Sequence, residues 1–112
     1  MAAGKYNIEI DQGSDFALDV TVKEDGSVKD LTGYSARSQM RAKKSDASAA
    51  ASFTCTVTDA ANGILKMELS NSTSSNMTAG RYFYDLEIYT SGDAIVKRIL
   101  EGEVNIDREV TR

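Results

Sequence analysis

The chain has 112 residues, 41% apolar and 27% charged, a globular balance with material for one hydrophobic core and unlike that of a disordered chain. Its 13 Lys and Arg stand against 17 Asp and Glu, and the net charge of −4 argues against a general nucleic-acid binder, which needs a basic face to displace phosphate counterions. No apolar run approaches the roughly 18 residues of a membrane span, the opening Met1-Ala2-Ala3-Gly4-Lys5 lacks the apolar core of a signal peptide, and the one cysteine, Cys55, has no partner for an internal disulfide.

Alternation with a period of two, the mark of half-buried strands, dominates the pattern. Tyr6, Ile8 and Ile10 alternate first. After a break at Gln12-Gly13-Ser14, Phe16, Leu18, Val20 and Val22 alternate with Ala17, Asp19, Thr21 and Lys23. Glu24-Asp25-Gly26-Ser27 reads as a turn. A short piece from Val28 to Leu31 leads through Thr32-Gly33 into a strand over Tyr34 to Ala42. That strand puts Ala36, Ser38, Met40 and Ala42 on one face and Arg37, Gln39 and Arg41 on the solvent face. Residues 43–51, rich in Ala and Ser, have no apolar stripe to anchor a helix and are expected to form a mobile loop. Phe53, Cys55 and Val57 alternate next, and Asn62-Gly63 signals a hairpin into Leu65, Met67 and Leu69.

The Ser/Thr/Asn-rich segment 70–79 is expected to cross between sheets, with a helical turn tucking Met77 inward. Its two sequons, at Asn71 and Asn76, are what such a composition produces by chance. Tyr82, Tyr84, Leu86 and Ile88 form the clearest inward face of the chain. Ser91-Gly92-Asp93 then turns it, and the last strand runs from Ile95 to Ile106. There Val96, Leu100, Val104 and Ile106 share one parity while Ile95 and Ile99 share the other, which predicts a β-bulge or a change of sheet near Gly102. About seven strands with turns every ~8–12 residues predict an all-β fold, a single antiparallel β-sandwich over residues 1–112, with a small β-barrel as the alternative. With no proline in the chain, edge protection falls to outward charges such as Lys66, Glu68, Lys97 and Glu103, or to partners.

The residue types speak against catalysis. With no histidine, the usual general base, the commonest metal ligand and the ordinary Ser-His or Cys-His pair are all missing. Glu101 and Glu103 have the spacing that puts two carboxylates on one strand face, but a solvated face explains them as well. Asp11 and Asp15 flank a Gly-containing loop without the spacing of a calcium loop and read as turn residues. Cys55, in register with Phe53 and Val57, reads as a small buried hydrophobe. No catalytic, cofactor-binding or metal site is therefore expected, nor any small-molecule substrate, nucleic acid or membrane as a partner. Phe83 and Tyr89 share the parity of Asp85 and Glu87 and project from the face opposite the core. They read as interface candidates or as rings covered by a neighbouring loop.

Several short runs taken in order carry a family resemblance. They are Asp30-Leu31-Thr32-Gly33-Tyr34 after an acidic turn, Asn62-Gly63-Ile64-Leu65 midway, and Ala79-Gly80-Arg81-Tyr82-Phe83-Tyr84-Asp85-Leu86-Glu87 later. Arg98-Ile99-Leu100-Glu101-Gly102-Glu103-Val104 and the closing Glu109-Val110-Thr111-Arg112 complete the set. From about Tyr6 to Arg112 the chain resembles the small immunoglobulin-like domains of tailed-bacteriophage virion proteins, found in tail, baseplate and fibre-attachment components. The resemblance implies an immunoglobulin-like sandwich and a non-enzymatic structural protein of the virion, assembled in the host cytoplasm. It would act as an adaptor or decorating subunit of the tail or baseplate, binding other virion proteins in multiple symmetric copies. The tail Glu109, Val110, Thr111 and Arg112 joins Phe83 and Tyr89 as candidate interface. A capsid decoration protein of the head, or a carbohydrate- or receptor-binding module, are the alternative readings.

Overall fold

The alternating segments all fold as strands, and the computed structural model describes residues 4–110. In chain order these are β1 (Gly4–Lys5), β2 (Ile8–Asp11), β3 (Phe16–Thr21), β4 (Lys23–Glu24), β5 (Ser27–Val28), β6 (Ser35–Arg41), β7 (Ala51–Asp59) and β8 (Ile64–Leu69). A one-turn helix α1 (Asn71–Ser75), β9 (Gly80–Tyr89), a 3₁₀ turn at Ser91–Asp93 and β10 (Val96–Asp107) follow. The main sheet runs β1-β10-β9-β6-β7-β8-β3, with β2 continuing β1 along β10, while β4 and β5 form a separate hairpin. The fold is all-β, as expected, and takes the form of a curled mixed sheet, a half-barrel.

The curl follows from β7. Its first residues pair with β6, Ser38 facing Phe53, and its later ones pair with β8, Thr54 facing Glu68. One strand therefore belongs to both flanks and carries the sheet round the corner. Inward residues of both flanks form one hydrophobic cluster, with Met40, Leu65, Met67, Leu86, Ile88 and Val104 fully buried. A chain of rings crosses it: Phe16 lies 5.9 Å from Phe53, which lies 6.1 Å from Tyr84. Phe16, Leu18 and Val20 point the same way but stay half-buried, because β3 is an edge with β8 on one side only.

Two features depart from the alternation pattern. The first strand runs parallel to β10 in register, Gly4 facing Leu100 and Ile8 facing Val104, whereas the other pairings are antiparallel. Alternation has the same period in both arrangements, so the pattern cannot tell them apart. The bulge of β10 also lies earlier than Gly102: the register shifts between Arg98 and Leu100, leaving Ile99 as the extra residue. Parity therefore switches there. Ile99 is buried, and Val96, expected in the core, is 42% exposed.

Gly102 has a different purpose. Between β1 and β2 the chain kinks so that the Tyr6 carbonyl dips toward the core and accepts the Tyr84 hydroxyl at 2.6 Å. A side chain at Gly102 would collide with that carbonyl. Burial pushes the Tyr84 hydroxyl well above its ordinary pKa, so it stays a donor. Because the Tyr6 carbonyl has left the ladder, the Glu103 N–H is taken instead by the Asn7 side-chain oxygen at 3.1 Å.

The 70–79 segment forms the expected helical turn. Ser70 is its N-cap, its side chain accepting from the Thr73 N–H at 3.3 Å, and Met77 is buried behind it. The segment between β6 and β7 carries a small turn, in which Lys43 donates its N–H to the Asp46 carboxylate at 3.2 Å and Arg41 Nε donates to the Asp46 carbonyl at 3.0 Å.

Candidate functional site

The outward face of β10, β9 and β6 carries polar and aromatic residues in ordered rows. In register across the three strands lie Glu103, Phe83 and Arg41, then Glu101, Asp85 and Gln39, then Arg98, Glu87 and Arg37, then Val96, Tyr89 and Ser35. Opposite charges meet across strands. Arg37 Nε lies 2.9 Å from Glu87 and its guanidinium 3.3 Å from Asp93, Arg98 lies 3.3 Å from Asp85, and Arg81 lies 3.6 Å from Glu103. Each such exposed pair contributes no more than about 1 kcal/mol. Together they tie these long side chains to one another across the strands.

Both outward aromatics sit in this lattice, half-buried and covered by basic side chains. The Arg37 guanidinium stacks 4.3 Å from the Tyr89 ring centre. Phe83 has Arg81 at 5.7 Å and Lys44, from the loop after β6, at 5.8 Å. Phe83 also stands between two shallow grooves, one bounded by Lys5, Tyr6 and Asn7, the other by Gln39, Arg41 and Asp46. Tyr89 is six residues further along β9, ~20 Å away at the rise of an extended strand, so the two rings do not share one patch.

Strand directions gather the remaining candidates at the Phe83 end. Phe16 faces Leu69, Met40 faces Ala51, Arg41 faces Phe83 and Ile106 faces Gly80. The turn 12–15, the loop 42–50, the segment 70–79 and the chain after Asp107 therefore leave the sheet at the same end. There Glu109 is half-buried against the 12–15 turn, and Val110 is 91% exposed. Thr111 and Arg112 lie outside the described residues.

Pattern reading missed the polar node at this end. The Gln12 amide donates to the Met77 carbonyl at 2.8 Å and accepts the Glu109 N–H at 2.9 Å. Ser74, fully buried, accepts the Gly13 N–H at 3.1 Å and donates to the Ser14 carbonyl at 2.9 Å. A buried serine inside a serine-rich run carries no signal in sequence.

Of the groups weighed for chemistry, Glu101 and Glu103 lie on the outward face, with Glu103 3.6 Å from Arg81. Asp15 accepts the Asn71 backbone N–H at 2.8 Å and its side-chain amide at 3.0 Å, joining the 12–15 turn to α1. Cys55 lies half-buried on the inward face, and burial pushes its thiol up to about 11, leaving it protonated near neutrality. Among the described residues no three of His, Cys, Asp or Glu come together as a metal cluster would require.

Against known proteins, the family model described as the BppU N-terminal domain matches residues 5–104. Among solved structures, the N-terminal domain of phage TP901-1 ORF48 is similar at a TM-score of 0.62 and 14% identity, covering 89% of this chain and 83% of that one. At that identity the likeness speaks for the fold. A family 123 glycoside hydrolase from Clostridium perfringens reaches a TM-score of only 0.43 at 11% identity, over 97% of this chain and 24% of that one, too little to support any argument. No curated protein matches.

Proposed function

The chain belongs to the BppU N-terminal domain family, structural domains of phage baseplates, and on that premise we propose that it is a non-enzymatic adaptor or decorating subunit binding other virion proteins. The family match over residues 5–104 is the observation that carries this reading. We take residues 1–112 as one domain, since the described buried residues fall in one cluster.

The surface suits such a role. A face on which most charges are already paired has fewer rotamers left to freeze on docking, so ordering subtracts less from the binding energy. Phe83, half-buried with groove on either side, has the form of an aromatic anchor. The loops 42–50 and 70–79 and residues 109–110 stand at the same end and supply the rim. Multiple symmetric copies would convert modest single contacts into firm attachment.

The test is an image reconstruction of the intact particle. We expect this domain in the baseplate in symmetric copies, with the Phe83 end against neighbouring proteins. Density on the head, or an end that faces only solvent, would overturn the reading. Phe83→Ala is expected to lower incorporation into particles while the melting temperature of the free domain moves by less than about 3 °C, as for a residue outside the core. Normal incorporation of this variant would remove Phe83 from the interface.

A further inference from the structure

We propose that the chain after β10 forms a strap docked at Glu109, closed by the side-chain amide of Gln12, that fixes the direction in which the chain leaves the sheet. This concerns the domain itself and does not rest on its place in the baseplate. In a parallel ladder a residue donates its N–H to one carbonyl of the neighbouring strand and accepts, at its own carbonyl, the N–H two residues further on. Gln12 makes the first bond in the ordinary way, its N–H donating to the Asp107 carbonyl at 2.8 Å. The chain then swings away at Gly13, which has a φ of +87°.

The Gln12 side chain supplies the acceptor that the backbone does not. Its Oε1 accepts the Glu109 N–H at 2.9 Å while its Nε2 donates to the Met77 carbonyl at 2.8 Å. One amide thus joins the end of β2, the segment after α1 and the chain following β10. Gly13 completes the closure: a Cβ there would lie 2.5 Å from Glu109 Oε2 and 2.7 Å from its Cδ. From the α1 side, Ser74 fixes the turn through the Gly13 N–H and the Ser14 carbonyl. The same device occurs earlier in the seam, where the Asn7 side chain takes the Glu103 N–H.

Amide hydrogen exchange on the full chain tests this residue by residue. We expect the Glu109 N–H to exchange about tenfold more slowly than in an unstructured peptide, as one net hydrogen bond provides. In Gln12→Ala, and in Gln12→Asn, whose amide is a methylene too short, that protection is lost while Val104 and Ile106 stay protected. Ser74→Ala is expected to lower the melting temperature yet leave Glu109 protected well below it, which separates holding the strap from holding the fold. Free exchange at Glu109 in the unaltered protein overturns the proposal, whether or not the variants fold. So does unchanged protection of Glu109 in a folded Gln12→Ala or Gln12→Asn.

Discussion

A methyl group at position 102 would strike the Tyr6 carbonyl, the oxygen that also accepts the buried Tyr84 hydroxyl. Gly102→Ala is therefore expected to destabilise the domain by about 1–3 kcal/mol, the range for overpacking. Tyr84→Phe is expected to cost about 1–3 kcal/mol, because it leaves that carbonyl without its donor. Urea unfolding measures both, and changes under about 0.5 kcal/mol would mean that the kink relaxes freely. Leu86, fully buried and flanked by Ser38 and Leu100, should lose roughly 2–5 kcal/mol on Leu86→Ala. Cys55 carries a pH prediction. Burial raises its pKa from 9.0 to about 11, so its contribution is full below about pH 9 and declines as pH rises toward 11. A thiol-reactive dye should label it far more slowly at pH 8 in the folded chain than in urea, and equal rates would contradict the burial. At this scale the sequence marked Gly102 as unusual but not why. A glycine required for close approach and one required for a bulge look alike until the Tyr6 peptide is seen beside it.

Elements were legible where one parity persists. In β9 Tyr82, Tyr84, Leu86 and Ile88 are all buried, as alternation indicates for a central strand with β6 and β10 on either side. β10 was not, because the extra residue at Ile99 exchanges inside and outside in mid-strand, and no residue type announces a bulge there. The β4–β5 hairpin is held to β10 by Glu24, which lies 3.0 Å from Lys97 and 3.4 Å from Lys29. The Lys97 bond, then Lys29, lowers the Glu24 pKa below 4.5, and Glu24 raises Lys97 above 10.5. The clamp is thus complete at neutral pH. Its acid side is lost as pH falls below 4.5 through the depressed value, and its alkaline side as pH rises above 10.5 through the raised one. The Val28 amide chemical shift should follow the acid step, and Glu24→Gln should flatten it. An unchanged titration would detach the hairpin from Glu24.

At the scale of the molecule, the all-β class could be read from the pattern, and the shared strand β7 could not. Nothing in Phe53, Cys55 and Val57 says that neighbours on one strand face different partners. The candidate interface was legible only in outline: parity put Phe83 and Tyr89 outside, but their separation along β9 and the gathering of loops at the Phe83 end depend on register. Truncation after Asp107 removes the strap and, among the described residues, no fully buried one, so the domain should stay folded with a melting temperature lower by a few degrees, about 1 kcal/mol for the Gln12–Glu109 bond. Incorporation into particles should fall. A truncated chain that unfolds would put residues 108–112 in the core's support.

The parallel seam between the first strand and β10 also has a mechanical consequence. Gly4–Asp11 and Leu100–Asp107 lie side by side and run the same way, so tension applied between the two ends of the domain pulls them lengthwise past each other. The seam is then loaded in shear, its hydrogen bonds and the side-chain bonds of Asn7 and Gln12 straining together instead of parting one at a time. In a single-molecule pulling experiment the domain should resist such tension more strongly than a force that peels β3 from the opposite edge, where the bonds to β8 would open in succession.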